Sequence, residues 1–409
     1  MNVPGIRRVP RTGVIYVMHE ASKAGFVYGS PDWANLGQGS PESGPLPGAP
    51  PRISSLEIDV SHHAYGPVEG LVALRQKVAD YYNQRFRQGK ASQYTYRNVS
   101  IAGGGRLALT RIAAALDTIN MGHFIPDYTA YEELLSSFRN FIPIPILVDA
   151  ESGYKISLAA LRREIQGRGF GAVLLSNPCN PTGQLAEGNE LKAWVNLARE
   201  LRCTFILDEF YSHYVYTGED GKIVSGAAYV EDVEEDPVIL VDGLTKNWRY
   251  PGWRLSWTVG PSPVIEAIAS AGSFLDGGAN HPLQRQAIGL LEPDVVQQET
   301  VAIQKCFRAK RDLLLTRLGE LGIRVDADPE GAFYVWANLS GLPEPLNDGL
   351  NFFRAGLEQQ LITVPGIFFD VNPGRRRSNA RYQHYCRISF GPPVEQLEKG
   401  LDSMARMLS

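Results

Sequence analysis

Cysteine is scarce here: four residues in 409, at 179, 203, 306 and 386, with no CxxC pair. That spacing argues against a zinc cluster or a disulfide framework and fits a reducing compartment. Seven histidines show no HExxH or similar metal spacing, so no metal is expected. No window approaches the roughly 18 apolar residues of a membrane span, and the longest apolar run near the N-terminus is only "VIYVM", which is no signal peptide. A net charge of −4 argues against non-specific binding to nucleic acid or anionic membranes. The run Arg375-Arg376-Arg377 is short enough to be a solvated loop. Glycine signatures of dinucleotide and nucleotide loops are missing as well, because "AGGGR" has neither the GxGxxG nor the GxxxxGK[ST] spacing. A soluble cytoplasmic protein is expected.

With 44% hydrophobic and 21% charged residues, the chain has the composition of a globular protein and the length for two packed domains. "SPESGPLPGAPP" at 40–51 cannot be helix or central strand and separates an N-terminal arm from the main body. Beyond it, helical spacing over 71–86, 106–118 and 190–201 alternates with the short apolar runs "GAVLLS" (171–176), "TFILD" (204–208), "VILVD" (238–242) and "LSWTVG" (255–260). The alternation predicts an α/β fold with a mostly parallel sheet between helices. After about 290 the pattern changes to a long helix, Ile303 through Leu321, three strand-like runs and a final helix, which predicts a smaller α+β domain. We therefore expect a large domain over 51–290 and a small one built from 1–50 and 291–409.

Chemically loaded residues stand at the ends of the apolar runs, where open α/β sheets collect ligands. Asn177 and Asn180 follow "AVLLS", Asp208 ends "TFILD", and Lys246 follows "VILVD". A desolvated lysine beside a second cation becomes a nucleophile toward an aldehyde. Arg254, eight residues on and past Pro251-Gly252, is such a cation and can fork onto a phosphate. An aldehyde that carries a phosphate is pyridoxal 5'-phosphate. Its ring nitrogen calls for a buried carboxylate, a place Asp208 suits. Its ring oxygen calls for donors, with Asn180 and Tyr211 as candidates, and its face calls for an aromatic lid, with Tyr128 of "IPDYTAY" in position. Three glycines feed a helix in "AGGGRLALTR", which offers free amides and the positive end of a helix dipole to the phosphate.

In this order the set resembles the class I/II aminotransferases among the fold-type I pyridoxal-phosphate enzymes. "SNPCNPTG" (176–183) looks like the family's Asn-Pro-x-Asn-Pro-Thr-Gly signature, "DEFY" (208–211) like its Asp-Glu-x-Tyr, and "TKNWRYPGWR" (245–254) like its lysine segment. "RISFG" (387–391) looks like its C-terminal arginine strand. The resemblance implies that Lys246 links to the cofactor and serves as general base in a 1,3-proton shift. It implies that Asp208 pairs with the ring nitrogen, that Asn180 and Tyr211 bond the ring oxygen, and that Tyr128 stacks on the ring. Arg254, Thr245 and the amides around Gly104, Gly105 and Arg106 would hold the phosphate. Arg387 would clamp the substrate's α-carboxylate, and Gly39 would let the chain pass close to it. Tyr65 matches a tyrosine that reaches the neighbouring subunit's phosphate, which implies a homodimer with shared active sites. One departure stands out. Three residues before the lysine, where the family usually has serine or threonine, this chain has Gly243.

The implied activity is transfer of an amino group between an L-amino acid and a 2-oxo acid. The alternative is a lyase, cyclase or oxidase that acts on an amino acid through the same intermediate. A cofactor-binding sensor is a third reading, but the N-terminal arm is too short for a DNA-binding domain and Lys246 is retained. The aromatic and basic stretch "GIFFDVNPGRRRSNARYQHYC" is expected to help build the end of the pocket that receives the substrate side chain.

Overall fold

The computed structural model describes residues 4, 5, 9 and 11–409. Seven strands form the main sheet: β1 (Val99–Ala102), β2 (Ile119–Ile125), β3 (Phe141–Leu147), β4 (Phe170–Ser176), β5 (Thr204–Asp208), β6 (Val238–Gly243) and β7 (Ser256–Val259). Their spatial order is β1-β7-β6-β5-β4-β2-β3. Six run in one direction and β7 runs against them. The central strands are apolar on both faces, as a sheet covered by helices on two sides requires. The run "LSWTVG" predicted a strand and is one, but an apolar run carries no information about direction.

β3 was not expected. Its sequence, "FIPIPIL", holds two prolines, which cannot donate to a ladder and so confine the segment to a sheet edge. Arginines cover that edge: Arg376 donates to the Pro143 carbonyl and Arg168 to that of Pro145. The basic run at 375–377 is therefore partly structural, and Arg377 pairs with the buried Asp370.

A helix over Pro293–Glu320 leads into the second sheet. It begins ten residues before the expected start, with proline in its first turn, where the missing N–H costs nothing. The antiparallel second sheet contains β8 (Arg324–Val325), β9 (Tyr334–Asn338), β10 (Val364–Pro365) and β11 (Tyr385–Ser389), in the order β10-β11-β9-β8. Ala34–Asn35 of the arm pairs in parallel with Leu361–Ile362, so the arm lies with the C-terminal part of the chain. The stretch 40–51 forms no helix or strand, as its prolines and glycines predict. Among the described residues no helix is long and apolar enough to cross a membrane.

Candidate active site

Four parallel strands bring their carboxyl ends to one edge of the sheet. β2 delivers Asp127 and Tyr128, β4 delivers Ser176 and the Asn-Pro loop, β5 ends on Asp208, and β6 runs into Thr245 and Lys246. Ser176 lies opposite Asp208, and Asp208 opposite Val241, in register across the sheet. The edge opens into a cavity of about 370 Å³. Gly39, Gly105, Arg106, Tyr128, Asn180, Asp208, Tyr211, Thr245, Lys246, Arg254 and Arg387 all line it, so segments hundreds of residues apart converge where the linear order suggested. Gly104 adjoins it beneath Arg254. Tyr65 does not. Its side chain is 99% exposed and outside the cavity of its own chain.

The Lys246 ammonium donates to the Gly39 carbonyl. Burial pulls its pKa down to about 7, with Arg387, Arg254 and Arg106 adding repulsion. Asp208 is buried, which raises its carboxyl to about 6 against the hydrogen bonds from Tyr131 and the Phe210 amide that favour the charged form. The Tyr131 hydroxyl donates to Asp208 Oδ2 at 2.8 Å. Tyr131 stands three residues after Tyr128 as the first residue of the helix Tyr131–Ser136, and the two rings meet edge to face at 5.5 Å. Nothing in the sequence marked it as part of the site.

At the other side of the cavity, Arg387 is buried and donates through Nη1 to Asn180 Oδ1 at 2.9 Å and through Nη2 to the Gly37 carbonyl at 2.6 Å. Its Nε has no partner, a donor left over for a ligand. With its oxygen bound to Arg387, Asn180 keeps its amide N–H₂ for something else. Tyr211 and Tyr334 face each other hydroxyl to hydroxyl at 2.7 Å. Asn177, expected among the loaded residues, instead staples its loop by two hydrogen bonds to the Ala186 backbone.

The glycine run enters the helix Gly105–Ala115. Gly104 has φ +98°, which only glycine adopts at ease, and a Cβ there would lie 2.2 Å from an Arg254 nitrogen. One added at Gly105 would strike the Phe210 ring at 2.5 Å. The helix itself is anchored by buried Arg111, whose Nε donates to Asp276 at 2.9 Å. Arg254 and the free amides of this turn form one anion cradle, and Thr245 Oγ1, buried without a partner, is a further donor near it. The other arginine of the lysine segment, Arg249, is consumed structurally by a 2.7 Å bond to Glu299. Gly243 has a packing reason: a Cβ there would lie 2.5 Å from Ser256 Cα and 2.6 Å from the Leu255 carbonyl. The strand crossing leaves no room for a hydroxyl at that position.

Together these groups fit a small phosphorylated aromatic aldehyde. The lining supplies an anion cradle, a buried carboxylate, a neutralisable amine and an aromatic face. The stretch 366–386 does not line the cavity. Phe369, Tyr382 and Tyr385 pack around Trp336 in the second sheet's core. Val14, Gln38, Leu109 and Tyr334 line the cavity instead, on segments read from sequence as arm, helix and strand-like run.

The sequence model of a family described as "Aminotransferase class I and II" matches residues 31–404. The aspartate/prephenate aminotransferase of Thermus thermophilus is 27% identical over 353 residues, covering 84% of this chain and 83% of that protein. The LL-diaminopimelate aminotransferase of Moorella thermoacetica is 25% identical over 385 residues, covering 92% and 91%. Among solved structures, an aminotransferase from Mycobacterium tuberculosis is similar with a TM-score of 0.79 at 24% identity, over 98% of this chain and 97% of that one. At that identity the structural likeness speaks for the fold, while the family match covers nearly the whole chain.

Proposed function

The chain belongs to the class I and II aminotransferase family, and from that premise we propose that its cavity holds pyridoxal 5'-phosphate on Lys246. The chain is an aminotransferase that moves an amino group between an L-amino acid and a 2-oxo acid. The observation that carries the placement is the buried Lys246 amine, held near pKa 7 between the carboxylate of Asp208 and the guanidinium of Arg387.

When bound, the cofactor supplies an electron sink for the pair released at the substrate α-carbon. Asp208 holds its ring nitrogen in the protonated state, and Tyr131 orients that carboxylate. The Asn180 amide and the Tyr211 hydroxyl bind the ring oxygen, and Tyr128 covers the ring face. Arg254, Thr245 and the amides around Gly104, Gly105 and Arg106 hold the phosphate. Arg387 takes the substrate α-carboxylate and Gly39 gives it room. With the cofactor bound, Lys246 Nζ would be the base placed to take and hold a proton from the substrate α-carbon, a role that a neutral amine with a pKa near 7 suits at neutral pH.

Arg106, Lys246, Arg254 and Arg387 outnumber Asp208, the one carboxylate among the described lining residues. The cofactor's phosphate and the substrate α-carboxylate would meet those cations, and aspartate and prephenate, named for the relatives, are the first substrates to assay. By the same reading 51–290 is the cofactor-binding domain and 1–50 with 291–409 the small one. We take the active unit as a homodimer in which Tyr65 of the partner subunit completes the phosphate cradle. Four free thiols suit the cytoplasm.

The test is absorbance spectroscopy on the purified protein. A visible cofactor band, converted by a donor amino acid and restored by a 2-oxo acid, supports the reading, and Lys246→Ala should remove that band while the fold persists. An unchanged band in Lys246→Ala would refute the placement. Ammonia release without band conversion would favour the lyase or oxidase chemistry.

A further inference from the structure

Tyr334 stands on β9, which the sequence marks only as a strand-like run, and it lines the cavity. Trp336 pairs with Arg387 across the antiparallel β9–β11 ladder, so Tyr334, two residues back, is the diagonal neighbour of Arg387 on the same face. The Arg387 guanidinium lies 4.2 Å from the centroid of the Tyr334 ring, and the Tyr334 hydroxyl lies 2.7 Å from that of Tyr211. Both phenols are buried. Gly39 fixes the Tyr334 oxygen from the arm side, since a Cβ at that glycine would lie 2.4 Å from it.

When two phenols share one hydrogen bond, the more acidic is the better donor. Burial raises both. Arg387 over the Tyr334 ring offsets part of that rise and leaves this phenol at about 12, whereas Tyr211 is pushed well above its ordinary value by burial and by Tyr334 itself. Either oxygen can donate across this 2.7 Å contact, and the Arg387 guanidinium 4.2 Å from the Tyr334 ring favours Tyr334 as the donor; with Tyr211 as acceptor, the Tyr211 proton is free to point into the cavity.

We propose that Tyr334 is a positioning residue that donates to Tyr211, turns the Tyr211 proton toward the cofactor's ring oxygen, and passes the charge state at Arg387 on to that bond. The inference rests on the cofactor placement proposed above. Linked hydrogen bonds polarise one another, so a carboxylate docked on Arg387 weakens the Tyr334 donation and, one bond further, the grip of Tyr211. The titratable and charged groups that face Tyr334 are Arg387, Tyr211, Tyr128 and Asp208. Of these, Arg387 alone is placed to meet the substrate carboxylate.

The experiment reads the pH midpoint of the bound cofactor's visible absorbance in holoenzyme, for wild type, Tyr334→Phe, Tyr211→Phe and the double variant. Tyr334→Phe keeps the ring beside Arg387 and removes only the hydroxyl. Weaker donation leaves the ring oxygen more basic, so the midpoint should rise by roughly 0.2 pH unit, the fraction by which one neutral hydrogen bond strengthens the next. In the Tyr211→Phe background the same change should move nothing, because the path runs through Tyr211. An unmoved midpoint in Tyr334→Phe, or an equal shift in both backgrounds, overturns the inference while the cofactor reading stands. A wild-type protein with no cofactor band overturns the cofactor reading and this inference with it. Should Tyr334→Phe not fold, Tyr334→Leu removes the same hydroxyl: a midpoint above wild type that disappears in the Tyr211→Phe background supports the inference, and an unmoved midpoint overturns it.

Discussion

Lys246 shows what surroundings do to a single amine. The unfolded chain keeps this proton up to the ordinary lysine range, whereas the folded, cofactor-free chain releases it near pH 7. Between those values the unfolded state binds more protons, so the contribution of Lys246 to stability rises with pH across that window. The same shift governs cofactor capture, because only the neutral amine attacks an aldehyde. We expect the rate of uptake of pyridoxal 5'-phosphate by the cofactor-free protein, followed by absorbance, to rise about tenfold per pH unit below about 7 and to level off above it. A rate still climbing steeply at pH 9 would mean that the amine is not depressed. Residue chemistry of this kind was legible in part. The sequence marked Lys246, Asp208 and Arg254 by their positions after apolar runs, but not Tyr131, whose bond to Asp208 joins two elements 77 positions apart.

At the scale of elements, the antiparallel pair β6 and β7 leaves no room for a side chain at Gly243. Gly243 pairs with Ser256 there, and any side chain at 243 would overlap backbone. Gly243→Ser, which would restore the residue type usual in the family, should therefore destabilise the protein by roughly 1–3 kcal/mol, as overpacking does, read as a lower urea midpoint. Cofactor affinity should not improve. A serine variant of wild-type stability would show that the crossing can relax. Element reading from sequence was sound where periodicity is clean, as in Gly188–Leu201 and Val394–Leu408. It missed the start of Pro293–Glu320, where the polar run "QQET" blurs the apolar stripe, and it missed β3, where prolines hide an edge strand.

For the whole molecule, the strap that carries Tyr65 is the informative surface. Residues 54–61 are exposed throughout, and Ile58 and Val60 are 51% and 82% exposed on a segment without helix or strand before its short turn at Val60–His63. An apolar strap in this state suits burial against a second copy. Ile58→Asp combined with Val60→Asp should yield monomers in analytical ultracentrifugation. It should also weaken cofactor binding about tenfold, because the partner's hydroxyl to phosphate is a charge-assisted bond. Dimers that persist would show that the strap does not hold the interface, and monomers that bind the cofactor as tightly would remove Tyr65 from the site.

The sequence by itself determined the alternation of strands and helices, the residues that end each strand, and the linear order of the groups that converge on the cavity. Those features follow from periodicity and local chemistry, which act over a few residues. Only the tertiary structure decided that Tyr334 lies beside Arg387, that Tyr131 reaches Asp208, that β7 runs backwards, and that Tyr65 turns away from its own cavity. Each of these depends on how distant segments pack, and a hydrogen bond or an overlap of a few ångströms across a sheet leaves no periodic trace along the chain.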